Sequence, residues 1–113
     1  MTDTIVVLVT VGSQNEADHL ATTLVEEHLV ACVNIVGPIR SVYRWQGRVH
    51  NDEELLLVIK TRAALFESLA TRVRTLHSYE TPEVIALPIV AGAQPYLDWL
   101  LAQTEPVDRG LSN

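Results

Sequence analysis

Four short apolar runs rich in β-branched residues, amphipathic stretches after the first and third of them, and one more near the end predict an α+β chain. The order is strand, helix, strand, strand, helix, strand, then an extra C-terminal helix. That is the split βαβ arrangement of a ferredoxin-like antiparallel sheet, with both main helices on one face. The 113 residues suit one domain, long enough to bury a core without disulfide or metal staples. We place that domain at residues 1–103 and read 104–113 as a polar, flexible tail.

The first strand is the run IVVLVTV at 5–11, ended by Gly12. Ser13 with Glu16 three residues on has the form of a capping box. Ala17, Leu20, Ala21 and Leu24 then recur at helical spacing, and this helix should end near His28. The second strand spans 30–45 and is interrupted at Gly37-Pro38, where a bulge or bend belongs because proline has no N–H for a ladder. A turn around Gly47 leads into the third strand at 53–60, so 30–60 reads as one long hairpin. Thr61 is placed to cap the second helix, whose apolar face is Leu65, Phe66, Leu69, Val73 and Leu76. A polar connection at 77–83 precedes the fourth strand at 84–90, where Pro88 argues for an edge. Pro95 fits the first turn of the third helix.

These strands carry apolar residues on both faces. Leu55, Leu57 and Ile59 oppose Leu56 and Val58; Ile5, Val7 and Val9 oppose Val6 and Leu8; Ile85 and Leu87 oppose Val84 and Ala86. Two helices cover one face only, which leaves roughly six or more aliphatic side chains open, each worth about 1.5–3 kcal/mol when buried. A patch of that kind marks an interaction surface, and a second copy of the chain is its simplest cover. A third helix of some nine residues is too short to shield four strands.

Composition narrows the partners. The formal net charge is −6, with eight Lys and Arg scattered along the chain, so neither nucleic acid nor an anionic membrane is the expected partner. The basic and aromatic pattern of RNA-binding sheets is missing from the first and third strands. No run approaches the roughly 18 apolar residues of a membrane span. The single Cys32 suits a reducing compartment, and we expect a cytoplasmic protein.

The blocks ACVNI (31–35), SVYRWQGRV (41–49), EELLLVIKT (53–61), LHSYETPEVIALPI (76–89) and YLDWL (96–100) follow one another as in the CutA divalent-cation tolerance family, which the chain resembles over residues 4–101. The resemblance implies a ferredoxin-like subunit in a tight homotrimer, with the hairpin reaching a neighbour. It also implies a role in tolerance of divalent cations, copper above all, and a trimer similar to that of the PII signalling proteins.

Two groups of residues could carry chemistry. Cys32 and His77 are the best metal pair, since thiolate and imidazole suit copper or zinc, and the resemblance implies copper ligands at these positions. The plainer alternative is a strand cysteine and a loop histidine that never meet. His19, His28 and His50 have no metal-like spacing. The second group is Trp45, Glu54, Lys60, Tyr79, Glu83 and Trp99, with Tyr43 and Tyr96 nearby. Lys60 among apolar neighbours calls for a carboxylate, and Glu54 and Glu83 are the candidates. Aromatic walls with converging polar groups describe a small-molecule cleft, here for an anion or metabolite, and the resemblance suggests that it lies between subunits. The other possibility is an ion-pair and aromatic cluster that only holds the assembly together. Asp52, Glu53 and Glu54 read as a solvated strand edge that hard cations could visit. An enzyme built on Cys32 as nucleophile and His77 as base lacks an orienting third group, an oxyanion-hole pattern and a phosphate loop, so no catalysis is expected. A trimer that docks a partner protein, as a signalling or structural element without specific metal binding, is the alternative function. No cofactor is obligatory, with a divalent cation such as copper the one candidate.

Overall fold

The computed structural model describes residues 1–105. Strand β1 (Thr4–Val11) leads into helix α1 (Gln14–Glu26); β2 (Cys32–Trp45) and β3 (Arg48–Arg62) form the hairpin; α2 (Phe66–Leu76), β4 (Ile85–Pro88) and α3 (Gln94–Gln103) follow. The sheet order is β2-β3-β1-β4 and every pairing is antiparallel. The α+β, ferredoxin-like expectation therefore holds for the chain, with the extra helix at its end.

The core lies between the sheet and the two main helices. Val7, Val9, Leu57 and Ile59 point into it from the strands, and Ala17, Leu20, Leu24, Leu69 and Val73 from the helices. Ser13 caps α1 by accepting from the Glu16 N–H at 3.1 Å. The capping box is only half made, because the Glu16 carboxylate turns to Ser78 instead. Thr61 does not cap α2. It is the penultimate residue of β3, fully buried, and its hydroxyl donates to the Leu29 carbonyl at 2.7 Å. A 3-10 turn, Ala63–Leu65, comes between the strand and α2.

Alternation fixes the opposite face. Across the sheet, Leu87, Val6, Lys60 and Cys32 make one row and Ile85, Leu8, Val58 and Asn34 the next. Ile85 and Leu87 are 51% and 52% exposed. Helix α3 reaches only a corner of this face, where Tyr96 meets Cys32. Thr104, read above as the first residue of the tail, is buried and donates to the Leu100 carbonyl at 2.8 Å. Residues 106–113, the rest of the expected tail, lie outside the described residues.

The hairpin outruns the sheet. Strand β1 pairs with β3 only from Leu55 to Arg62, so 39–45 and 48–54 form a two-stranded ribbon. The register breaks between Val36 and Ile39, as expected at Gly37-Pro38, whose peptide is cis. Gln46 and Gly47, both at positive φ, make the two-residue turn that a twisted hairpin favours. Val42 and Val49 stand 67% and 65% exposed on one side of the ribbon. Arg40, Arg44, Asn51 and Glu53 share that side with them, so it is a mixed surface, and a bare two-stranded ribbon is marginal in water.

Candidate functional site

The other side of the ribbon forms one wall of a groove of about 810 Å³. Period-two alternation puts Ser41, Tyr43 and Trp45 on that side of β2, and Asp52 and Glu54 beside them on β3. The segment 79–83, between α2 and β4, makes the opposite wall with Tyr79, Glu80 and Glu83. Thr10 closes the end toward the sheet.

Glu54 is the most enclosed of these groups, 6% exposed. The Tyr79 hydroxyl donates to its Oε2 at 2.8 Å. Burial first, and then this bond to Glu54, pushes the Tyr79 phenol far above its ordinary range. Tyr43 donates its hydroxyl to Asp52, which raises the Tyr43 phenol too. The Tyr43 ring stacks on His50 with centroids 5.3 Å apart. Burial, and then the Glu54 charge, raise the Glu83 carboxyl above its ordinary 4.5. Four carboxylates and three aromatic rings thus line a groove in which, among the described residues, no Lys or Arg takes part.

The raised Glu83 carboxyl has a signed consequence. A folded-state value above the unfolded one means that the native chain holds the extra proton between the two. The stability from that proton is complete below about 4.5 and is lost as pH rises through the raised value. Replacing Glu54 by Gln removes the second cause of the shift. In a carbon-detected NMR titration, the Glu83 carboxyl of Glu54→Gln should titrate at lower pH than in the parent, though still above 4.5 because burial remains.

Of the six residues read as a cleft, Trp45, Glu54, Tyr79 and Glu83 line this groove. Lys60 and Trp99 do not line it within one chain. Lys60 lies six residues from Glu54 along β3, about 20 Å at a strand's rise. It pairs with neither Glu54 nor Glu83; its ammonium donates to the Asn34 side-chain carbonyl, a diagonal neighbour across the β2-β3 pair. Trp99 belongs to α3, where its ring lies 5.5 Å from that of Tyr96. Lys60, Cys32, Tyr96 and Trp99 thus gather at the far corner of the open face.

Cys32 and His77 do not meet in one chain either. Cys32 is opposite Lys60, which is opposite Val6, whereas His77 is bonded to Thr10, four residues further along β1. His77 is also fully engaged. The Thr10 carbonyl can only accept, so Nε2 carries the proton that it takes at 2.7 Å. The Tyr79 N–H can only donate, so Nδ1 accepts it at 3.0 Å. Glu16 Oε2 stands further from that nitrogen, at 3.4 Å. A metal at either nitrogen would displace a backbone bond. Among the described residues no group of three or more His, Cys, Asp and Glu is arranged to hold a metal ion.

Sequence reasoning did not single out Asp52, Glu80, Ser41 or Thr10 as parts of the groove. Asp52 was legible: it is two residues from Glu54 in one strand and shares its face. Ser41 was legible in the same way, two residues before Tyr43 in β2; Glu80 and Thr10 join through the path of the 79–83 segment, which no local pattern encodes. Nor is Glu54 the solvated edge residue expected, because it is buried and its Oε2 accepts from the Tyr79 hydroxyl.

A family model described as CutA1 divalent ion tolerance protein matches residues 5–103. The chain belongs to the CutA1 divalent ion tolerance family. The divalent-cation tolerance protein CutA of Thermus thermophilus is 54% identical over 99 residues, covering 88% of this chain and 96% of that protein. The chloroplastic protein CutA of Arabidopsis thaliana is 52% identical over 100 residues, and there the match spans 88% of this chain but 55% of the relative. The solved structure of the Thermus thermophilus protein (Cut A1) has a TM-score of 0.87 at 52% identity, covering 89% of this chain and 98% of that one. The structure of the periplasmic CutA of Archaeoglobus fulgidus has a TM-score of 0.88 at 36% identity, covering 90% and 99%. CutA1 proteins are named for tolerance, not for a reaction. No helix of the described residues is long and apolar enough to cross a membrane.

Proposed function

We propose that this CutA1 chain serves divalent-cation tolerance as a non-catalytic homotrimer that binds a divalent cation or a small ligand in its groove, at a boundary between copies. The observation that carries this is the position of the groove, which opens beside a sheet face that α3 covers only at one corner. A copy seated on that face hides Val6, Leu8, Val58, Ile85 and Leu87. It can also bring its own Lys60 and Trp99 to the Trp45, Glu54, Tyr79 and Glu83 of its neighbour, a meeting that about 20 Å of strand forbids within one chain. The four groove carboxylates favour a cationic ligand over the anion expected from the sequence. Their donors are oxygens, a set that suits a hard cation better than a soft one. Among the described residues of one chain no three such donors are arranged to hold a metal, so a second copy has to complete the set. A cytoplasmic location belongs to this reading, and cell fractionation checks it, since relatives include chloroplastic and periplasmic proteins.

Sedimentation equilibrium at micromolar concentration should return three times the 12.5 kDa chain mass. Isothermal titration of that assembly with copper(II), and separately with manganese(II), should show saturable binding that Glu54→Gln with Glu83→Gln abolishes. A monomer, or binding of neither ion by a well-folded trimer, would overturn the cation reading.

A further inference from the structure

Glu16 stands on α1, on the helix side of the sheet, away from the groove. Its carboxylate nevertheless takes two bonds from the connection that follows α2: the Ser78 N–H donates to Oε2 at 2.8 Å and the Ser78 hydroxyl to Oε1 at 3.0 Å. The next residue is Tyr79. Its own N–H is held by His77 Nδ1, and His77 is held in turn by the Thr10 carbonyl. Both Ser78 and Tyr79 are therefore fixed at the backbone by side chains from outside the groove.

The far end of Tyr79 is set by a different element. A Cβ added at Gly12 would come 2.9 Å from the Tyr79 hydroxyl oxygen, closer than such contacts allow. Gly12 has no positive φ that would demand a glycine. The missing side chain at residue 12 is thus the space that lets the hydroxyl reach Glu54. With Tyr79 on Oε2, Glu54 Oε1 is left without a hydrogen bond among the described residues.

We infer that Glu16 and Gly12 are positioning residues for the groove, together aiming the Tyr79 hydroxyl at Glu54 so that this carboxylate presents a single oxygen to a ligand. The ligand part of this inference rests on the function proposed above; the positioning part does not. Glu16 fastens the start of the segment, and Gly12 clears the path of the ring. A side chain at a helix start and a glycine at a strand end thereby act on a groove that neither lines.

Two variants test this from opposite ends. Glu16→Ala removes the Ser78 anchor, and Gly12→Ala intrudes on the hydroxyl while keeping a permitted backbone. In protein labelled with carbon-13 at the tyrosine Cζ, both should move the Tyr79 resonance toward that of a free tyrosine. Ser78 amide exchange should speed up about tenfold in Glu16→Ala, as expected for a lost charge-assisted bond. Glu16→Gln keeps an acceptor for the Ser78 N–H and should restore most of both signals, which a general loss of stability would not do. Copper(II) affinity in the assembled protein should fall in both alanine variants. An unmoved Tyr79 resonance in two folded variants would overturn the positioning role. Altered Tyr79 resonances with unchanged copper(II) affinity would overturn the claim on ligand presentation. A parent protein that binds no copper(II) would count against the proposed function, while the Tyr79 result would still decide the positioning.

Discussion

Replacing Ile85 and Leu87 together by Asp should turn the assembly into folded monomers, read as a fall in sedimenting mass from three chains to one. Both side chains lie on the open face, opposite Leu8 and Val6 in the β1-β4 register. Each is about half exposed in the isolated chain. A carboxylate there stays in water when the chain is alone, so the fold itself loses little. In the assembly it would be stripped of water with no partner, and such a charge costs several kcal/mol. The aliphatic burial lost adds about 1.5–3 kcal/mol for each residue. Together these imply a dissociation constant raised about a thousandfold or more, since each 1.4 kcal/mol is tenfold. Circular dichroism checks that the monomer keeps its helices and sheet. If the double variant still sediments as a trimer, the open face is not the surface that joins the copies.

The faces were legible because they follow from two periods. Helical spacing picks out Ala17, Leu20, Ala21 and Leu24, and these are the residues that α1 buries. Strand alternation separates Leu57 and Ile59 from Leu56 and Val58, and the core takes the first pair. Gly37-Pro38 marks the break in β2 because proline lacks the donor that a ladder needs. Pro88 likewise limits β4, which ends there rather than at Val90. What escaped local patterns depends on register and chain path. The partner of Lys60 is Asn34 because of how β2 aligns with β3, and the two are 26 residues apart in sequence. Glu16 has the spacing of a capping box, yet it serves Ser78, brought to it by the whole of the sheet and α2. The groove is half legible for the same reason. Its ribbon wall follows a period of two, while its 79–83 wall follows a connection with no period at all.

The neighbours Leu56 and Leu57 offer a sharper separation of fold from assembly. They are consecutive in β3, so their side chains leave opposite faces of the sheet. Leu57 lies opposite Val9 and Ile35, is fully buried, and belongs to the core under α1 and α2. Leu57→Ala should cost about 2–5 kcal/mol through lost burial and the cavity left behind. That is a large share of the roughly 5–15 kcal/mol that keeps a domain folded, and the chain loses it whether or not copies meet. Leu56 lies opposite Thr10 and Val36 on the open face. Leu56→Ala should cost the lone chain less and weaken mainly the contact between copies. Stability drawn from association rises with protein concentration, whereas stability drawn from the core does not. In urea melts at low and high micromolar protein, Leu57→Ala should shift the midpoint downward by a similar amount at both concentrations. Leu56→Ala should instead narrow the gap between the two midpoints that the parent shows. Equal behaviour of the two variants would mean that both faces are buried by the chain itself, and the case for a second copy on the open face would fail.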